Sequence, residues 1–143
     1  MGPQDANHYG NVHGGVIMKL VDEAGALAAM RHANKPVVTV AVDSMTFMEP
    51  ISVDNLVTCT AELTYVGRTS MEARVEVIAE DILSGSATLA NTAYLVYVAL
   101  DSSGNPTPVP ELLIETPDER ARAERARTRQ AYRRQQRATE AGR

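Results

Sequence analysis

Between His13 and Asn34 the apolar residues Ile17, Leu20, Val21, Ala24, Leu27 and Ala28 recur at three- and four-residue spacing. That spacing predicts a helix of about twenty residues, roughly 30 Å long, ended by Asn34, Lys35 and Pro36. Met18, Gly25, Ala26 and Ala29 lie off this stripe and are nonpolar too, so the helix wants cover on more than one side. After Pro36 the period drops to two. Segments 37–48, 56–66, 70–81 and 87–100 read as strands. In the third, Met71, Ala73, Val75, Val77 and Ala79 alternate with Glu72, Arg74, Glu76 and Ile78, which predicts one largely wet face. The links at 49–55, 66–69 and 81–86 are too short for parallel crossovers. One long helix followed by four antiparallel strands predicts an α+β domain in which the sheet wraps the helix. Residues 1–12 are rich in turn formers and are expected as loop.

Composition adds a boundary. Up to Pro117 there are five basic and fourteen acidic residues, and from Asp118 onward nine arginines against four acids. We therefore divide the chain into a domain over 1–117 and an arginine-rich tail over 118–143, helical or partly disordered. Ala, Arg, Gln and Glu favour helix there, but Tyr132 is its only large nonpolar side chain, so it is expected to bury little. An acidic body without a basic, aromatic-interleaved stripe speaks against nucleic acid as partner. The single cysteine, Cys59, excludes a disulfide framework and fits a small core residue in a reducing compartment. No apolar run is long enough to span a bilayer and no secretory leader is visible, so the expectation is a cytoplasmic protein that is neither exported nor membrane-bound.

Two features carry candidate chemistry. The helix opens on GNVHGG, where first-turn N–H groups of Gly14 and Gly15, unobstructed by side chains, suit a developing oxyanion. The same glycines also suit a simple close approach of backbone. The GK[ST] ending of a phosphate loop is absent. Within the helix stand Asp22 and Glu23. Glu23 is four residues from Lys19 and reads as a surface ion pair. Asp22 shares its side with Met18, Gly25 and Ala29, which leaves room for a ligand beside a carboxylate that acts as base or nucleophile. His13 reads first as a cap or packing residue at the helix start, and Asp43 as structural or exposed. His8, His13 and His32 lack metal-ligand spacing, so no metal is expected.

The run DANHYGNVHGGVIMKLVDEAG, with RHAN, VDSMTFMEPI, VGRTSM and TPDERARAERAR following in order, resembles the hotdog-fold acyl-CoA thioesterases of the cytosolic acyl-CoA hydrolase type. The resemblance implies a long central helix wrapped by an antiparallel sheet and hydrolysis of medium- to long-chain acyl-CoA to fatty acid and CoA, without a cofactor. It places the family's active-site asparagine at Asn7 and its helical carboxylate at Asp22. The turn that meets the CoA arm and phosphates falls at Gly67, Arg68, Thr69 and Ser70, with His13 beside the substrate. Family members carry a short strand ahead of the segment around Asn7, whereas here only Met1 and Gly2 precede Pro3.

Geometry adds a requirement. Gly15 and Asp22 are seven residues apart, about 10 Å along a helix, yet an oxyanion donor and a water-activating base both belong about 3 Å from one carbon. A two-fold dimer with antiparallel central helices would join the glycines of one subunit to Asp22 of the other, and the resemblance extends to a trimer of such dimers. Alternative readings are a non-catalytic acyl-CoA sensor that relies on the tail, or a hotdog dehydratase or hydratase using a His and acid pair.

Overall fold

The computed structural model describes residues 1–142. A 3-10 turn at Pro3–Asp5 precedes α1 (Gly14–Ala33), β1 (Val37–Phe47), β2 (Leu56–Val66), β3 (Ser70–Glu80), β4 (Ala87–Ala99) and α2 (Pro117–Ala141). The strands form one antiparallel sheet in the order β1-β4-β3-β2, with α1 packed on its inner face. This is the hotdog arrangement that the sequence implied.

Local chemistry sets the ends of α1. His13 caps it, its Nδ1 accepting from Gly15 N–H at 2.9 Å. Asn34 closes the other end in the left-handed conformation, φ 52°, and its N–H donates to Met30 O at 2.8 Å. The buried face differs from the stripe expected. Ile17, Val21, Gly25, Ala29 and Ala33 are buried, Leu20 is half-buried, and Leu27 is 63% exposed. Four-residue steps trace a ridge inclined to the helix axis, and small residues on it let the helix backbone approach the sheet. Register irregularities at Thr39/Ala41 and Val42/Ser44 in β1, Leu63/Tyr65 in β2 and Val77/Ile78 in β3 bend the sheet around α1.

The inner layer of the core comes from Met71, Ala73, Val75, Val77 and Ala79 of β3 with Ala93, Leu95, Tyr97 and Ala99 of β4. The opposite face of β3 is drier than expected where α2 reaches it, the Glu72 side chain being fully buried, while Arg74, Glu76, Ile78 and Glu80 are half-buried. Thr116 and Glu119 form a capping box around Pro117 at the first helical position. Further along, Arg129 and Arg133 reach down to Glu72, Arg133 also to Asp43, and the Arg129 guanidinium stacks 3.9 Å above the Tyr94 ring. The tail thus docks through long arginine side chains and the buried Ala123 and Ala126, not through an apolar stripe. Cys59 is half-buried beside the core, and burial pushes its thiol up.

Asn91, buried on β4 opposite Phe47 and Val77, has no hydrogen-bond partner for either amide atom among the described residues. An unsatisfied buried amide costs about 1–3 kcal/mol. Asn91→Val is therefore expected to raise the melting temperature by a few degrees in thermal denaturation. A fall would show that a ligand or second copy satisfies the amide.

Candidate active site

The segment before α1 is a tight backbone hairpin. Ala6 and Val12 form an antiparallel bridge, Asn7 N–H donates to Asn11 O at 2.7 Å, and Asn7 Oδ1 accepts from the N–H groups of Tyr9 and Asn11. This hairpin anchors the asparagine. These bonds leave its Nδ2 without an acceptor among the described residues. The hairpin and helix start enclose an open cleft of ≈ 270 Å³ lined by Asn7, Gly14, Ile17, Phe47 and Met48. The Phe47 ring lies 3.6 Å from where a Gly14 Cβ would sit. Gly15 N–H is already engaged by His13, whereas Gly14 N–H meets no acceptor among the described residues and is the first-turn donor left open.

Asp22 is elsewhere. Its carboxylate, half-buried on α1, is held at Oδ1 by two donors, Thr39 Oγ1 at 2.8 Å and Tyr97 OH at 3.1 Å. Tyr97 OH also lies 3.0 Å from the Asp22 carbonyl. Among the described residues Oδ2 accepts no hydrogen bond, which leaves one carboxylate oxygen open to water or substrate. Burial and then the neighbouring carboxylate push the Tyr97 phenol well above its ordinary range, so it remains a donor. Sequence reading missed both Thr39 and Tyr97. The available signals were weak: one polar residue inside VVTVAV, and a Gly25 whose Cβ would collide with the Tyr97 ring, 3.1 Å away.

The turn at Gly67–Ser70 sits at the Asp22 end of the sheet. Gly67 N–H donates to Ser70 O at 2.8 Å, and Ser70 is in register with Val98, next to Tyr97. Gly67 has a steric reason, since a Cβ there would come 2.9 Å from Ser70 Oγ. The Arg68 and Thr69 carbonyls accept from Val109 and Ala99, which tie the turn down and leave the Arg68 side chain exposed.

The sheet therefore separates two half-sites. Phe47, over Gly14, pairs with Asn91, whereas Thr39, on Asp22, pairs with Tyr97. Those partners on β4 are six residue steps or about 20 Å apart, and on α1 itself Gly14 and Asp22 are eight residues or about 12 Å apart. The histidines also stand apart: His13 caps α1, His32 Nε2 lies 2.7 Å from Pro110 O, and His8 leans on Tyr9. Among the described residues no cluster of His, Cys, Asp and Glu suits a metal ion. No helix is long and apolar enough to cross a membrane.

Comparison with known proteins gives a family context. Residues 9–86 match the thioesterase superfamily. An uncharacterized acyl-CoA thioester hydrolase of Bacillus subtilis, YkhA, is 39% identical over 117 residues, which are 82% of this chain and 68% of that protein. A crystal structure of an apo-hexameric acyl-CoA thioesterase superposes with a TM-score of 0.91 at 38% identity, covering 96% of this chain and 88% of that one. An acyl-CoA hydrolase from Staphylococcus aureus, solved with butyryl coenzyme A, coenzyme A and coenzyme A disulfide, gives a TM-score of 0.88 at 36% identity, covering 99% and 86%. That enzyme was also solved with single alanine replacements of an asparagine, an aspartate and a threonine, spaced fifteen and seventeen residues apart. Asn7, Asp22 and Thr39 have the same spacing here. The chain spans about a third of the length of the mammalian cytosolic acyl coenzyme A thioester hydrolases it matches.

Proposed function

The chain belongs to the thioesterase superfamily, and from that premise we propose that it hydrolyses medium- to long-chain acyl-CoA at a site completed by two subunits. The observation that carries this reading is the separation of the two half-sites, with Asn7 and Gly14 at one end of the sheet and Asp22, Thr39 and the 67–70 turn at the other. Each half alone lacks something that thioester hydrolysis needs. An antiparallel dimer joins one half to the partner's other half, giving two equal sites. The edge strand β1 is free on one side and exposes Val38, Val40 and Val42, an uncharged run suited to meeting a second copy.

In this site the Gly14 N–H, at the positive end of the α1 dipole, polarises the thioester carbonyl and stabilises the oxyanion. Gly15 and its His13 cap fix that first turn. Asp22 of the other subunit accepts a proton from water at Oδ2, or attacks through it, while Thr39 holds Oδ1. The Asn7 amide N–H₂ steadies the water or intermediate. Arg68, on the turn formed with Gly67, Thr69 and Ser70, attracts the CoA phosphates. The acyl chain has apolar surface available in an open groove of ≈ 960 Å³ along α1 and β2, lined by Ala24, Leu27, Met30, Cys59 and Leu63. The chemistry uses side chains and backbone amides only, and CoA enters as part of the substrate. A His and acid dehydratase pair finds no support, because His13 is committed to the helix cap.

Complementation tests the shared site. Asp22→Ala and Asn7→Ala chains, each nearly inactive alone, are expected to regain about a quarter of wild-type thiol release when co-expressed, since half of randomly paired dimers hold one intact site. No recovery in verified mixed dimers would place Asn7 and Asp22 in one chain's site and defeat the proposal.

A smaller effect is expected at the turn. Arg68→Ala should raise KM for acyl-CoA several-fold with little change in kcat, because an exposed cation that meets the phosphates contributes the same binding before and during reaction. Steady-state kinetics with acyl-CoA and with an acyl-pantetheine lacking those phosphates checks this, the variant being indifferent with the second substrate.

A further inference from the structure

We propose that Tyr97 is a positioning residue for hydrolysis, aiming the Asp22 carboxylate from the core, and that Gly25 is glycine in order to admit it. The inference rests on the reading of Asp22 as the catalytic carboxylate. Tyr97 is fully buried, on the central strand β4 and in register with Met71 and Thr39, so its ring cannot drift without disturbing both neighbouring strands. Its hydroxyl rises against α1, where one hydrogen is shared between the carbonyl and Oδ1 of Asp22, at 3.0 and 3.1 Å.

The contact needs a gap in the helix. Gly25, one turn past Asp22 on the buried ridge, provides it: a Cβ there would sit 3.1 Å from two ring carbons and closer still to the hydroxyl. A glycine in mid-helix is unfavourable by about 1 kcal/mol relative to alanine, so its presence at this position requires a packing reason, and the phenol supplies one.

The consequence is a division of labour on one carboxylate. Thr39 Oγ1 and Tyr97 OH both bind Oδ1, from different strands, which fixes the side-chain torsion and turns Oδ2 outward. Thr39 is on the exposed edge strand and can yield, whereas Tyr97 is locked by core packing. The buried phenol stays protonated over the working pH range, so it donates throughout and takes no proton from the reaction.

The test is a mutant cycle in the 143-residue chain, measured as single-turnover thiol release with enzyme in excess over the best acyl-CoA of a chain-length panel and as steady-state KM for the same ester. Tyr97→Phe keeps the ring and is expected to lower the rate by about tenfold to a hundredfold with KM unchanged and the oligomer intact. In an Asp22→Asn background the same change should lower the residual rate by less than about twofold, because residues that act as a unit are not additive. Retention of wild-type rate by Tyr97→Phe, a rise in KM that accounts for the loss, or an equal further loss in the Asp22→Asn background would each overturn the proposal. An Asp22→Asn protein with wild-type turnover would instead remove the catalytic reading of Asp22 itself.

Discussion

Asp22→Asn is expected to lower kcat for acyl-CoA hydrolysis by about 10²–10⁴-fold and to leave the folded oligomer unchanged. The substitution is chosen for its shape. An asparagine Oδ1 can still accept from Thr39 Oγ1 and Tyr97 OH, so the hydrogen bonds that seat the side chain survive. What disappears is the negative charge and the proton-accepting capacity of Oδ2. Because Asp22 is only half-buried and forms no ion pair among the described residues, no partner charge is stranded by its neutralisation. The measurement is thiol release at saturating substrate, with circular dichroism and size-exclusion chromatography as controls. Activity within tenfold of wild type would rule out Asp22 as base or nucleophile.

The second large effect is on stability and lies on the other side of the sheet. Glu72 is fully buried and receives hydrogen bonds from Thr64 Oγ1 at 2.7 Å, Arg129 Nη2 at 2.6 Å and Arg133 Nη1 at 2.9 Å. Burial by itself would raise its carboxyl. The bonds from Arg129, Thr64 and Arg133 outweigh that and hold it below the ordinary glutamate range. Removing one member of a buried ion pair costs about 3–5 kcal/mol, mostly through the partner left uncompensated. Glu72→Gln is therefore expected to lower the melting temperature by roughly 10 °C and to loosen α2.

The pH dependence has a defined sign. A carboxyl whose folded pKa is depressed contributes stability above its unfolded value, and the contribution disappears as pH falls through the folded value. The gap between wild type and Glu72→Gln should thus be widest near neutrality and close in acid. Replacing the cluster together, as Glu72→Leu with Arg129→Leu, Arg133→Met and Asp43→Asn so that the other carboxylate held by Arg133 is not stranded, should recover much of the loss, since a buried ion pair exchanged for apolar packing is often neutral. A constant gap across pH would show that shape, not charge, fixes the helix.

What the sequence determined by itself was local. The extent of α1 follows from His13, an apolar rhythm of three- and four-residue steps and Asn34, all local to the helix they bound. The four strands are equally legible, within a residue or two, because period-two alternation and turn residues act over a few positions. Gly14 and Asp22 stood out through their places at the start and on the small-residue side of the predicted helix, whereas Asn7 was marked only by the family resemblance. Tertiary structure decided the rest. Whether Leu20 or Gly25 faces the sheet depends on the angle at which α1 crosses it, and that angle is set by strand curvature and the bulges in β1, β2 and β3. Glu72 looked like a wet-face residue because alternation reports which side a side chain takes, not what a helix more than forty residues later lays on top. Thr39 and Tyr97 meet Asp22 across 17 and 75 residues of chain, contacts fixed by strand register, which no local pattern encodes. The same register divides the candidate site in two.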